Sequence, residues 1–318
     1  MGSSSAFPVL AAALGDQLDV ASRAASDPGP DGIHDLRVST RRLRAALDLW
    51  RECAPGKRLD RCRKRLRRLG RRLGSVREAD VNLEGLADLA RGRPSDAIAI
   101  EFLAASVARE RKRRARRLHQ EQERSDLPGL SEEIRSELGK GLDSESEPVS
   151  IAAVARRELT RRLPALEALL ETASREPSAP ALHRLRIGLK KFRYSVELSA
   201  PAYDGRRLPP LLGRLKELQD ALGAAQDARA LHDVFAKGRL ELREDGLAAA
   251  ERALLAPMRA VAAILRRRQE AARRELESSR RDGFLSRFVG ALVGEAGSRP
   301  GRMSGRSYTG AHAASPRP

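Results

Sequence analysis

The sequence predicts an all-α protein made of two similar helical halves. Apolar residues recur at helical spacing along most of the 318-residue chain, and the alternation typical of β-strands is nowhere sustained. Two stretches, 33–50 and 182–198, carry the same pattern of basic and apolar residues, and their matching positions are 149 residues apart. We therefore expect an internal duplication, with a first half over 8–145, a second half over 146–295 and a disordered tail rich in Arg, Gly, Ser and Pro over 296–318.

The helices of the first half are separated by Pro and Gly, the residues that interrupt helices most strongly. The turn SDPGPDG separates the first two predicted helices, and Pro55–Gly56 follows the second. The predicted order is a helix over 9–25, a helix over 33–52, a very basic helix over 57–73 with a following segment that ends near 92–94, a long helix over 96–124 and a short helix over 131–142. The acidic stretch DSESEPVS, 143–150, is the expected linker between the halves.

The second half repeats this order. A predicted helix over 151–173 contains Pro164, where we expect a kink or a break. The repeated basic helix, 182–198, is followed by predicted helices over 211–230 and 243–281, the last with a bend at Pro257. The offset of 149 also joins Leu73–Gly74 to Leu222–Gly223, so the two halves are predicted to share one topology.

Each repeated helix has a basic face and an apolar face. At about 100° per residue, the basic side chains fall within an arc of roughly 80°, and the apolar side chains lie roughly opposite. In the first helix the basic row is His34, Arg37, Arg41 and Arg44, and the apolar positions are Leu36, Leu43, Leu47 and Trp50. In the second helix the basic row is His183, Arg186, Lys190 and Arg193, and the apolar positions are Leu185, Phe192 and Val196. Each row spans roughly 15 Å, which is too long for a single phosphate group and suits a polymeric anion.

A basic row on a helix has two interpretations. Most such rows are solvated charged faces, but a duplicated row that keeps its His and its spacing favours a binding site. A duplicated unit packs most readily about an approximate two-fold axis, which would let the two rows face each other across a shared cleft. In the alternative arrangement, the repeat records duplication only and each row points outward.

The composition favours a polyanionic partner. Lys and Arg number 61 against 43 Asp and Glu, a formal net charge of +18, which suits nucleic acid, an anionic membrane surface or a phosphate polymer. Aromatic residues make up only 3% of the chain, too few for a reader of single-stranded nucleic acid that stacks bases. Neither a membrane helix nor a signal peptide is predicted. The two cysteines, Cys53 and Cys62, are expected to be reduced thiols of a cytoplasmic protein.

The stretches IHDLRVSTRRLRAALDLW and LHRLRIGLKKFRYSVEL resemble the two signature helices of the CHAD family, the conserved histidine α-helical domain. The companion segments LGSVREADV and LKELQDALGAAQDA are similar to those of the family, and the resemblance covers about 8–290. It implies two antiparallel helical bundles related by pseudo-symmetry, which form one CHAD domain. It also implies that the basic helices bind inorganic polyphosphate, and an association with polyphosphate granules and their proteins.

Two features depart from the family pattern. Some members carry a triphosphate-tunnel domain with an ExExK signature, but the nearest match here is EQER at 121–124, so the chain resembles a stand-alone binding domain. Gln226 and Arg229 stand where the first half has Arg77 and Asp80. A symmetric role of this acidic motif is therefore not expected.

Arginine suits phosphate because its planar fork donates two hydrogen bonds at once and keeps its charge. We expect the binding to rest mainly on the arginines of the two rows, with Lys190 as a mobile charge. Arg42 and Lys191 project about 80° from the rows, and Arg67 and Lys216 lie at the predicted flank, where surface solvation explains them equally well. His34 and His183 are placed in the first turns of their helices, where backbone N–H groups favour an anion.

No constellation of catalytic residues is recognisable in the sequence. Glu78, Asp80 and Asp227 could act as acids, bases or metal ligands, but pairing with arginines is the expected role. We therefore predict a non-catalytic polyphosphate-binding protein with no cofactor and no metal, which does not act at a membrane. The alternative is a nucleoid-type DNA-binding protein that acts through phosphate contacts alone.

Overall fold

The computed structural model describes residues 5–27, 29–54, 56–142, 149–203 and 208–295, and nearly all of them are helical. Within these ranges, the one extended pairing is an isolated antiparallel bridge between Ser5 and Ser150. The all-α prediction is thus confirmed. Most of the expected linker, 143–148, and the predicted tail, 296–318, lie outside the described residues.

The first half packs its helices around one apolar core. In chain order the helices are α1 (Ala6–Ala25), α2 (Pro30–Trp50), α3 (Lys57–Gly92), α4 (Ala97–Ser125) and α5 (Leu127–Leu142). Successive helices from α1 to α4 pack against each other, and α5 lies against α1 and α3. The fully buried Trp50 contacts Phe7 edge to face, with 5.0 Å between the ring centroids.

The second half also packs its helices around an apolar core. Its helices are α6 (Ile151–Arg175), α7 (Ala179–Leu198), α8 (Leu208–Glu244), α9 (Ala248–Ala253), α10 (Leu255–Asp282) and α11 (Phe284–Glu295). The halves are joined by contacts of α2 with α7, of α3 with α8 and of α1 with α6. A further apolar cluster combines side chains of both halves, among them Leu86, Leu103, Phe235 and Leu254.

Helix α2 begins at Pro30, before the predicted start at 33, and α7 begins at Ala179, within the predicted turn. Pro30 occupies the first turn of α2, where its missing N–H costs nothing and its fixed φ already suits a helix. The Ser178 hydroxyl caps α7 by accepting a hydrogen bond from the backbone N–H of Ala181 at 3.4 Å. In both cases, residues of the predicted proline-containing turn form the first turn of the following helix.

Several predicted boundaries are wrong. Helix α8 continues past 230 to Glu244, and the chain turns instead at Gly246, whose φ of 71° suits glycine. A bend was expected at Pro257, but the helical region is interrupted at Leu254 instead, because proline fits the first turn of α10. Pro164 lies inside α6 without ending the helix, and α5 starts at Leu127 instead of 131.

Candidate functional site

The apolar faces of the repeated helices fix the orientation of their basic rows. In α2 and α7 the predicted apolar positions are at most 2% exposed, namely Leu36, Leu43, Leu47, Trp50, Leu185, Phe192 and Val196. Because α2 also packs against α7, the basic rows lie near the junction of the two halves.

Four basic side chains, Arg37, Arg41, Arg186 and Lys190, lie close enough together to perturb one another across this junction; we call them the central cations. Burial and the neighbouring charges of Arg41 and Arg186 lower the pKa of Arg37 to about 10. Burial, followed by the charges of Arg186, Arg41 and Arg37, lowers the pKa of Lys190 to about 6. Both rows therefore contribute to one positively charged centre.

The central cations have no acidic partner among the described residues, since none of their nitrogen atoms lies within 4.0 Å of a described carboxylate oxygen. Arg186 donates one hydrogen bond to Gln226 Oε1 at 3.0 Å, and its buried Nε has no acceptor in the described part of the chain. Burial lowers the pKa of Arg186, and the nearby Asp227 opposes that shift. The centre thus has donors with unused hydrogen-bonding capacity and a strong positive potential.

Two glycines at matching repeat positions lie beside the arginines on the adjoining helices. A Cβ added to Gly74 of α3 would lie 3.9 Å from Arg37 Nε. A Cβ added to Gly223 of α8 would lie 3.8 Å from Arg186 Nε. Sequence reasoning noticed that both glycines belong to the repeat but not that each adjoins a guanidinium group.

Beyond Arg41, the basic surface continues around Asp48. Burial lowers the pKa of Arg44, Asp48 opposes this shift, and the charges of Arg63 and Arg67 reinforce it. Asp48 Oδ1 lies 2.5 Å from Arg63 Nε. Burial also lowers the pKa of Lys191, with contributions from Arg162 and Arg44. Arg67 and Lys191 therefore lie beside the first row, together with Arg63 and Arg162, which the sequence did not single out.

The second row ends differently. Arg193 Nε lies 3.1 Å from Glu197 Oε1, and the Glu197 pKa is raised by burial and lowered in part by Arg193 and Arg42. This carboxylate therefore neutralises part of the charge of Arg42 and Arg193. Lys216 is exposed and lies 3.7 Å from Asp220 on its own helix, and no described contact places it with the basic rows.

The two histidines lie outside the first turns where the sequence placed them. The early starts of α2 and α7 place His34 and His183 in the second turns, where backbone N–H groups are bonded within the helix. Burial and the charge of Arg77 lower the pKa of His34. His183 is exposed and lines a cavity of about 490 Å³ with Asn82 and Arg229.

The acidic residues of the companion segment hold α3 to α4. The buried Asp80 accepts a hydrogen bond from Arg111, and Glu78 Oε2 lies 3.6 Å from Arg114 Nη1. Within the described ranges, no three His, Cys, Asp or Glu side chains are grouped as a metal site would require. In the same part of the chain, no helix is both long and apolar enough to cross a membrane.

The fold and this cationic centre define an all-helical protein of two similarly ordered halves with a basic junction. The family model of the CHAD domain matches residues 9–236, so the chain belongs to the CHAD domain family.

Two solved structures share the fold. The CHAD domain from the plant Ricinus communis is 22% identical, with a TM-score of 0.61, and the match covers 91% of this chain and 93% of that chain. PptA from Streptomyces chartreusis is 17% identical, also with a TM-score of 0.61, and the match covers 86% of this chain and 100% of that chain. A sequence comparison with curated proteins gave no match. At these identities, the structural likeness concerns the fold alone.

Proposed function

We propose that this protein binds inorganic polyphosphate at the junction of α2 and α7 without cleaving it, and thereby associates with polyphosphate granules. The observation that carries the proposal is the group of central cations without an acidic partner among the described residues. Holding like charges together and partly buried raises the free energy of the unliganded protein. A bound polyanion would supply the missing negative charge and the hydrogen-bond acceptors.

The extent of the basic surface favours a polymer over a single phosphate. Each row spans roughly 15 Å along its helix. Beside the central cations, Arg44, Arg67 and Lys191 extend the surface further along α2, α3 and α7. A flexible chain of phosphates can contact all these groups at once, whereas orthophosphate can contact only a few. Membership of the CHAD family agrees with this ligand class.

The proposal predicts that the central cations, and not bulk charge, determine affinity. We expect the quadruple variant Arg37→Gln, Arg41→Gln, Arg186→Gln and Lys190→Gln to bind long-chain polyphosphate at least about a hundredfold more weakly, since each charge-assisted hydrogen bond contributes roughly 1.5–3 kcal/mol. Its melting temperature should equal or exceed that of the wild type, because mutual repulsion is removed. Fluorescence titration with labelled polyphosphate and thermal unfolding check both expectations.

The matched control removes four exposed positive charges from α10, which have no acidic partner among the described residues. These are Arg266, Arg267, Arg268 and Arg274. The control variant should retain its affinity within about threefold, since these side chains are exposed and solvent screens their charges. Equal loss of affinity in both quadruple variants would show that only net charge matters.

A second prediction concerns catalysis. With Mg²⁺ or Mn²⁺ present, the purified protein should leave long-chain polyphosphate intact and release no orthophosphate. A colorimetric phosphate assay and gel analysis of chain length provide the measurement. Steady release that disappears in Asp80→Ala or Asp227→Ala would contradict binding without cleavage.

A further inference from the structure

A cavity adjoins the central cations, and its walls come from α3 and α4 of the first half and from α7, α8 and α10 of the second half. Its volume is about 490 Å³, within the range of about 300–1,000 Å³ that is typical of small-molecule sites. Leu182, Leu222 and Val234 form apolar parts of the wall. Gln226, which accepts the hydrogen bond from Arg186, also lines the cavity. The cavity therefore borders the basic junction but has walls of its own.

The cavity lies where the second half departs from the repeat. Arg229 of its wall stands where the first half has Asp80. Asp80 is buried and accepts a hydrogen bond from Arg111 of α4. Arg229 is instead exposed, and its Nε lies 3.7 Å from Oδ1 of Asp233 on the same helix. The position that joins two helices in the first half thus borders an open space in the second half.

The first half contributes a buried amide to this wall. Asn82 of α3 lines the cavity and is only 7% exposed, and its buried Oδ1 has no hydrogen-bond donor among the described residues. A buried acceptor without a donor is unfavourable, so its presence in a cavity wall points to a ligand. Because the terminal torsion of asparagine is broad, rotation of the amide can turn either its acceptor or its donor group toward the cavity.

The lysine and the arginines of the wall are paired with carboxylates, in contrast to the central cations. The distances between nitrogen and oxygen are 3.6 Å, 3.7 Å and 3.6 Å in three pairs, namely Arg114 with Glu78, Arg229 with Asp233, and Lys237 with Glu241. Since each of these positive charges has a negative charge nearby, the cavity does not select a polyanion. It suits a ligand without net charge that carries several hydrogen-bond donors and acceptors.

We propose that this cavity binds a purine nucleoside. The amides of Asn82, Gln226 and Gln269 offer both donors and acceptors, the combination that matches the edge of a purine base. The apolar parts of the wall suit the faces of the flat ring. The carboxylates of Glu78 and Asp233 are acceptors for the hydroxyl groups of the ribose. Each part of a nucleoside thus has a chemical counterpart in the wall.

The test is equilibrium dialysis of labelled adenosine and labelled guanosine against the full chain, without polyphosphate. At least one of the two nucleosides should bind at a single site with a Kd below about 100 µM. Because the charges of the wall are paired, the corresponding 5′-monophosphate should bind with an affinity within about threefold of that of the nucleoside.

Two variants locate the binding in the cavity. Asn82→Leu replaces the amide by an apolar group of similar size and should weaken nucleoside binding at least about tenfold, since a hydrogen bond is lost. Its melting temperature should equal or exceed that of the wild type, because a buried acceptor without a donor is removed. Ala230→Phe narrows the cavity and should weaken binding to a similar extent. The matched control Ala236→Phe adds the same side chain to an exposed position of α8 outside the cavity wall and should change the affinity by less than about twofold.

Three results would overturn the proposal. The first is no saturable binding of either nucleoside below about 1 mM. The second is an unchanged affinity in both Asn82→Leu and Ala230→Phe. The third is a 5′-monophosphate that binds more than about tenfold more tightly than its nucleoside, which would indicate an anion site. Because the dialysis contains no polyphosphate, loss of the nucleoside site would leave the proposed function standing, and the reverse also holds.

Discussion

At the residue scale, the central cations combine two features: they are half-buried, and they have no acidic partner among the described residues. Elsewhere, Arg65 Nη1 lies 2.9 Å from Glu133 Oε2, and Arg113 Nη2 lies 2.5 Å from Glu110 Oε2. Such pairs spread positive charge over the surface without creating a strong local potential. The junction of α2 and α7 concentrates it, and this contrast distinguishes the candidate site from the generally basic surface.

Lys190 makes the proposed binding dependent on pH. Because the pKa of Lys190 is about 6 in the unliganded protein and should rise beside a polyanion, binding above about pH 6 is coupled to proton uptake. Affinity should therefore fall as the pH rises from about 6 to about 8, by up to about tenfold per pH unit for one proton. Titrations in buffers with different ionisation enthalpies measure the uptake directly.

The control for this pH dependence is Lys190→Arg, which keeps a positive charge over the whole range. It should bind polyphosphate with a clearly smaller dependence on pH, to which His34 still contributes because its pKa is also lowered. An unchanged pH dependence in Lys190→Arg would show that another group takes up the proton.

At the scale of single elements, a glycine of α3 and a glycine of α8 lie beside arginines of α2 and α7. Glycine in a helix interior is less favourable than alanine by roughly 0.5–1 kcal/mol. Gly74 and Gly223 occur at matching positions of the repeat, and each adjoins an arginine of the centre. A side chain larger than a methyl group at either position would compete with Arg37 or Arg186 for space.

A substitution series at Gly74 tests this role. Gly74→Ala should stabilise the protein by roughly 0.5–1 kcal/mol and preserve polyphosphate affinity, because a Cβ would lie at an ordinary contact distance of 3.9 Å from Arg37 Nε. Gly74→Leu should displace the guanidinium group and weaken binding about tenfold, the loss of roughly one hydrogen bond. Chemical denaturation measures the free energy of unfolding, and titration measures the affinity for polyphosphate. Equal affinity of both variants would show that the space beside Gly74 does not affect binding through Arg37.

The sequence predicted the positions of helices better than it predicted their ends, which depend on prolines and glycines. The repeated apolar positions predicted α2 and α7, because burial of one face dominates their orientation. The ends were harder to predict, because a proline that interrupts one helix can occupy the first turn of another, as Pro30 does in α2. Gly246 ends α8 through a left-handed conformation, and this signal is weak against the continuous helical pattern around it.

At the scale of the whole molecule, the site arises from the contact of two halves that share an order of helices. Burial and charges of both halves lower the pKa of Lys190, and of these charges Arg37 and Arg41 come from the other half. The cluster that includes Leu86 and Phe235 further joins the halves through α3 and α8. Packing between the halves therefore sets the distances on which the proposed function depends.

The sequence analysis predicted the basic rows but did not recognise the acids that modify them. Asp48 and Glu197 each stand four residues after a row arginine, Arg44 or Arg193, so helical spacing places them on the same face. The two residues predicted to flank the basic rows also differ in position. Arg67 adjoins Arg44, whereas Lys216 pairs with Asp220. Side-chain pairing between elements depends on the packing of the halves, which one sequence does not specify.

The central claim is that the junction binds a thin, flexible polyanion. A DNA duplex is a wide, stiff rod that needs an exposed basic surface, whereas a polyphosphate chain can follow the partly buried central cations. Salt weakens the binding of either polyanion, so dependence on salt alone does not distinguish them. Small phosphates such as ATP and pyrophosphate should compete weakly, because each fills only part of a row roughly 15 Å long.

The most direct measurement is a competition titration with labelled polyphosphate at about 150 mM salt. We expect long-chain polyphosphate to displace bound duplex DNA at equal phosphate concentration, and duplex DNA to displace labelled polyphosphate poorly. Duplex DNA that competes as well as the polymer would contradict the account and favour a DNA-binding protein that acts through phosphate contacts.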